Sequence, residues 1–132
     1  MPEIKIEVQQ AGEISSEASI RDHKVVIDRP EAKGGTDKGP MGGELLLAGL
    51  GGCFMSNLLA AIAARDIEAS NMKLVVSGNL EQHPPRFTSA TINISGNYSD
   101  KAEIERLADM SEKACISANT LKGSIDLNIV VT

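Results

Sequence analysis

Tryptophan is absent from this chain, and the only aromatic residues are Phe54, Phe87 and Tyr98. A core made from such a composition has to be aliphatic and alanine-rich, and no aromatic platform exists on which nucleobases could stack. Clusters of Lys and Arg are also missing, and the formal charge is −5. Both features argue against nucleic acid and anionic membrane surfaces as partners. The first residues, Met1-Pro2-Glu3-Ile4-Lys5, lack the basic stretch and apolar run of a secretory signal, so the expected location is the cytoplasm. Cysteine is scarce as well: Cys53 and Cys115 stand alone, with no CxxC. In a reducing compartment such residues are free thiols or a transient redox pair rather than a structural bridge. His23 and His83 fall in turn-like stretches without metal-ligand spacing. The glycines at 34, 35, 39, 42 and 43 do not form a phosphate-binding loop. Ser15, Ser16, Ser56 and Ser95 lack a triad signature. No metal or cofactor is therefore expected, and there is no repeat, heptad pattern or low-complexity tail.

What the chain does have is one long uncharged run. Between Glu44 and Arg65 lie twenty residues, Leu45 to Ala64, without a charge, and Cys53 sits near their middle. As a helix this run would extend roughly 30 Å. That length would suit a bilayer. However, Gly49, Gly51, Gly52, Ser56 and Asn57 lower the hydrophobicity of its centre, and strand-like segments flank it. The run therefore reads as the buried helix of a soluble protein. A helix apolar on every side must be covered on every side, which is more than one small sheet supplies. Each interior glycine costs about 0.5–1 kcal/mol against alanine. Three glycines beside Cys53 call for a packing reason, namely close approach of another backbone.

The flanks alternate with period two, the signature of half-buried strands. Ile4, Ile6 and Val8 predict a first strand, Glu13 to Ile20 a second and Lys24 to Asp28 a third. Arg29 to Gly43 carries Pro30, Pro40 and five glycines and reads as a loop. After the apolar helix, Met72 to Leu80 and Arg86 to Tyr98 predict a hairpin closed around Pro84-Pro85. Asp100 followed by Glu103 matches the spacing of a capping box. Behind it, Ile104, Leu107, Ala108, Ala114 and Cys115 recur at helical spacing. Ile125, Leu127, Ile129 and Val131 alternate in a last strand. The expectation is a single domain over residues 1–132, of the α+β class, with largely antiparallel sheets around a central apolar helix.

Two residues have the chemistry to react. Cys53 follows Gly51-Gly52, which leaves its sulfur little covered by its neighbours, so a nucleophilic thiol and a small buried hydrophobe are both open readings. Cys115 ends the second helix, where the negative end of a helix dipole would raise a thiol pKa. That suits a resolving thiol better than a primary nucleophile.

Gly39-Pro40 followed by Glu44-Leu45-Leu46-Leu47-Ala48-Gly49-Leu50-Gly51-Gly52-Cys53 resembles the central-helix signature of the OsmC/Ohr family, the osmotically inducible and organic hydroperoxide resistance proteins. The second cysteine near the end of the next helix and the order of elements are similar too. The resemblance implies an intertwined homodimer whose two apolar helices are enclosed by sheets from both subunits. It also implies a cysteine peroxidase in oxidative stress defence. In that scheme Cys53 is the peroxidatic and Cys115 the resolving thiol, and a dithiol such as a lipoylated protein restores both. Family peroxidases hold the thiolate with an arginine paired to a glutamate ten residues before the cysteine. Here that place is Gly43, and Glu44 follows one step on, about 100° around a helix. The family arginine lies on the early hairpin, and Arg21 and Arg29 are the available replacements for it here. This departure matches the OsmC-like branch and leaves a rival reading, a dimer that binds a small apolar molecule beside Cys53 without reducing peroxide.

Overall fold

The computed structural model describes residues 1–132 and divides the chain into two compact units, Met1–Leu46 and Leu47–Thr132. The first unit holds an antiparallel sheet in the order β1 (Glu7–Gln10), β2 (Ser16–Ile20) and β3 (His23–Ile27). The first strand is shorter than its alternation predicts: Ile4 and Ile6 precede it and are exposed. An isolated run of alternating residues forms a strand only where a neighbour accepts its ladder, and β2 meets the chain only from Glu7 onward. Arg21 and Asp22 form the two-residue turn between β2 and β3, with Arg21 at φ 54°.

The loop after β3 is more ordered than its composition suggests. Asp28 is buried, and its carboxylate collects the N–H groups of Arg29 (2.7 Å), Thr36 (3.3 Å) and Lys38 (3.1 Å) and the Thr36 hydroxyl (2.5 Å). A short 3-10 turn, Glu31–Lys33, lies inside this ring. Gly35 and Gly39 lie flat against the carbonyls of Arg29 and Val26, where a Cβ would not fit.

The apolar run forms α1 (Gly42–Ala64), within a residue or two of its predicted ends. Glu44 reaches back to accept the N–H of Met41 at 2.8 Å, which completes one half of a capping box. The second unit continues with β4 (Ala69–Gln82), β5 (Pro85–Tyr98), α2 (Lys101–Ala114), α3 (Ile116–Leu121) and β6 (Asp126–Val131). Its sheet runs β4-β5-β6: β4 and β5 form the expected hairpin, and β6 joins β5 in parallel. A parallel last pair follows from the route of the chain, which crosses through α2 and α3 before returning.

The core of this unit is aliphatic, as the scarcity of aromatics requires. Ile92 and Ile94 of β5, Leu50, Phe54 and Leu58 of α1, and Ile104 and Leu107 of α2 are fully or almost fully buried. Each such side chain contributes about 1.5–3 kcal/mol when removed from water. On α2 the buried positions are Ile104, Leu107, Ala108 and Ser111, the stripe read from the sequence, and Asp100 caps the helix by accepting the Glu103 N–H. On α1 the buried positions are Leu50, Gly51, Phe54, Leu58 and Ile62, one stripe only. Within a single chain, the opposite stripe, Gly49, Gly52, Ser56, Leu59 and Ala63, is exposed.

The glycines of α1 serve different purposes. A Cβ at Gly51 would stand 2.8 Å from Val76 Cγ2, so here close approach of β4 demands glycine. A Cβ at Gly49 or Gly52 would meet nothing. The expectation of close packing at all three therefore holds for Gly51 alone within one chain.

Candidate functional site

Cys53 sits on α1 between the buried stripe and the exposed one, half-buried and beside the core cluster. Its position follows from the helix period: it is three residues after Leu50 and one before Phe54, at the edge of the face they define. Cys115 is fully buried and stands in extended backbone between α2 and α3. It closes α2 through its N–H, which donates to Glu112 O at 3.2 Å. It also opens α3, where its sulfur accepts the Ala118 N–H at 3.4 Å.

α3 was not foreseen, and it changes the electrostatics. The sequence places Cys115 at the end of one helix; the structure makes it the N-cap of the next. A six-residue helix has too few turns to show periodicity, and sulfur is not a capping group that sequence rules look for. The start of α3 presents its donors to both sulfurs: the Ala118 N–H goes to Cys115, the Ile116 N–H and the Ser117 hydroxyl act on Cys53, and the Ser117 N–H acts on both.

Two thiols that share one core cluster thus have opposite tendencies. The Ser117 N–H lowers the pKa of Cys53 most; the Cys115 thiol, the Ser117 hydroxyl and the Ile116 N–H add to it, against the effect of burial. Burial raises the pKa of Cys115 most, and the hydrogen bond and negative charge of Cys53 raise it further, against the Ala118 and Ser117 N–H groups, which lower it. The two sulfurs interact, so they titrate as a pair, with negative charge favoured at Cys53. The arrangement these effects favour is a thiolate at Cys53 beside a protonated Cys115. All the groups that favour it are neutral, and all belong to the Leu47–Thr132 unit.

The sequence also singled out Arg21, Arg29 and Glu44, and all three lie in the Met1–Leu46 unit. Arg21 is exposed at the tip of the β2–β3 turn. Arg29 is exposed next to Asp28, to which its backbone N–H donates. Glu44 is exposed and has Met41 N–H as its partner, so its carboxylate serves the helix terminus. Sequence reasoning missed Ser117. The only available signal was its place two residues after Cys115, which gains meaning once α3 turns its donors toward α1.

The family model described as OsmC-like protein matches residues 35–130. No curated protein matches the sequence. Among solved structures, the OsmC-like protein of Mycoplasma pneumoniae superposes with a TM-score of 0.86 at 22% identity, covering 99% of this chain and 96% of that one. An organic hydroperoxide resistance protein OsmC from Legionella pneumophila gives 0.76 at 18%, over 100% and 98% of the two chains. The organic hydroperoxide resistance protein OhrB of Bacillus subtilis gives 0.68 at 19%, over 97% and 96%. These similarities extend through β1 to β6 and α1 to α3, and with the family match over most of its length the chain belongs to the OsmC-like family.

Proposed function

We propose that this protein is a thiol peroxidase that reduces organic hydroperoxides, with Cys53 peroxidatic and Cys115 resolving, in defence against oxidative stress. The carrying observation is that half-buried Cys53 packs against the core that encloses Cys115, where their surroundings displace the two pKa values in opposite directions. A peroxidatic cysteine must be thiolate and partly accessible, and its resolver must stay protonated until needed. Two solved structures of the same fold are named as organic hydroperoxide resistance proteins, which supports the choice of substrate.

The Cys53 thiolate attacks the distal oxygen of the hydroperoxide. The O–O bond breaks, the departing alkoxide takes a proton and leaves as alcohol, and the sulfur becomes a sulfenic acid. Cys115 then attacks that sulfur, water leaves and a disulfide forms. A dithiol reductant such as a lipoylated protein exchanges with the disulfide and returns both thiols. Arg21, Arg29 and Glu44 remain proposed as supports of the thiolate. The 132 residues act as one domain, in the cytoplasm, as a homodimer in which the exposed stripe of α1 is covered by a second copy. On this reading α1 is a core helix, although by length and composition it passes as a membrane span.

The test treats the purified, reduced protein with cumene hydroperoxide and reads both cysteines by mass spectrometry. A Cys53–Cys115 disulfide is expected, with sulfenic acid trapped at Cys53 when Cys115 is replaced by serine. Unmodified thiols after excess peroxide would overturn the proposal. A second reading is favoured by the open space at Gly49 and Gly52 beside the half-exposed Cys53. In it a small apolar molecule binds there and no peroxide is reduced. Slow alkylation of Cys53 at neutral pH would favour that reading.

A further inference from the structure

We propose, resting on the peroxidase reading for the oxidation step, that α3 is a cover released by disulfide formation. The sulfur of Cys115 holds the first turn of α3 while the thiol is free, and lets it go when that sulfur bonds to Cys53. Cys115 joins two helices through three of its groups. Its N–H closes α2 on Glu112 O at 3.2 Å, its carbonyl accepts the Asn119 N–H at 2.9 Å, and its sulfur accepts the Ala118 N–H at 3.4 Å. Main-chain atoms of any residue could make the first two bonds. The third needs a side-chain acceptor, and that acceptor is the atom that changes on oxidation.

Little else holds α3. Six residues are too few for a helix to be stable by itself. Ala118 is its one buried residue, and Ile116 is 72% exposed. Two ties run back to α2 over the surface. The Asn119 side-chain amide donates to Lys113 O at 3.0 Å, and Lys122 pairs with Glu112 at 3.2 Å. Such surface ties are weak. Gly123 follows the helix at φ 90°, a left-handed backbone that glycine adopts freely, so the chain can turn just beyond α3.

The release has a use in the cycle. Cys115 is fully buried, so a dithiol cannot reach its sulfur while α3 is in place. Forming the disulfide draws that sulfur toward α1 and away from the Ala118 N–H. The uncapped turn then frays, and the disulfide gains the access that exchange with a dithiol requires. Reduction returns the thiol, and the cap re-forms. The resolving thiol is thus shielded when reduced and opened when oxidised.

Hydrogen–deuterium exchange of the full chain, read by mass spectrometry, follows the amides of residues 118–122. In one arm diamide oxidises the parent: its N=N bond takes two electrons and two protons from the two thiols and leaves them joined. In a second arm cumene hydroperoxide is the oxidant. The linked parent should exchange these amides roughly three- to tenfold faster than the reduced parent, as expected for a lost helix cap, with the amides of 104–112 unchanged. Cys115→Ala should show the same acceleration with no oxidant present. Cys115→Ser, whose hydroxyl is a strong cap, should stay at or below the parent rate. The oxidation arms use the parent chain and stand even if Cys115→Ala does not fold. Equal exchange in the linked and reduced parent would overturn the proposal, as would failure of diamide to join the cysteines. A chain that diamide links and opens but that cumene hydroperoxide leaves reduced would remove the peroxidase reading and keep the cover. A disulfide formed by peroxide with α3 unchanged would do the reverse.

Discussion

At the scale of single residues, two side chains that carry or gain negative charge are handled in the same way. Asp28 is surrounded by the Thr36 hydroxyl and three backbone N–H groups, which hold its pKa at about 2 against an ordinary 3.8. Negative charge on Cys53 is favoured by the Ser117 and Ile116 N–H groups, the Ser117 hydroxyl and the Cys115 thiol. Neither relies on a cation among these donors. For Asp28 the consequence for stability has a definite sign. Its folded pKa is depressed, so its contribution is complete above pH 3.8 and is lost as pH falls from there through about 2. Asp28→Asn puts an amide where the donors converge, and one side of that amide is itself a donor. The variant should melt at a lower temperature than the parent at neutral pH, and the gap should narrow as pH falls across that window. Thermal melts followed by circular dichroism at a series of pH values check this, and a gap independent of pH would contradict it. Asp28 and Ser117 were both silent in the sequence. A carboxylate that organises a loop, or a hydroxyl that serves a distant thiol, leaves no local pattern, because its partners are fixed by tertiary structure. The cysteines themselves were legible, since the glycine-rich approach to Cys53 is written in neighbouring residues.

At the scale of elements, the helices and the hairpin were legible because periodicity and turn chemistry are local. α2 lies on the stripe that its apolar spacing defines, and the cap at Asp100 was read from its partner three residues on. β6 was recognised as a strand, but its parallel pairing depends on how the chain crosses back. α3 was missed because six residues make fewer than two turns, too few to establish a face. In α1, sequence suggested one purpose for three glycines, whereas the structure separates them. Gly51→Ala should be destabilising by about 1–3 kcal/mol, because its Cβ would press on Val76 and β4 would have to yield. The contact is with Val76 Cγ2 at 2.8 Å, so the cost belongs to that pair. Combining Gly51→Ala with Val76→Ala should therefore cost less than the sum of the single changes. Denaturant unfolding of the four proteins in this cycle measures the coupling. Additive costs would show that Gly51 is required for another reason.

At the scale of the whole molecule, the main question is what covers α1. The buried positions Leu50, Phe54, Leu58 and Ile62 are spaced by four, and the exposed positions Gly49, Gly52, Ser56, Leu59 and Ala63 by three and four. At about 100° per residue the two sets lie on opposite sides of the helix. Spacing by three and four is the pattern of a helix-packing seam, and glycine and serine at its start allow close approach of another helix. Large apolar side chains are exposed in both units, Ile4, Ile6 and Val8 in one and Leu59, Val75 and Val130 in the other. The proposed homodimer places a second α1 on the seam, which puts Cys53, at the seam's edge, beside the interface. Leu59 is the largest side chain on the seam and is about half exposed within one chain, so Leu59→Glu leaves the core alone and places a charge where two helices would meet. Light scattering should give twice the chain mass for the parent and a much weakened association for the variant, while circular dichroism keeps its helical content. A parent protein that stays monomeric at micromolar concentration would leave the seam without its proposed cover and would remove the dimer from the functional reading.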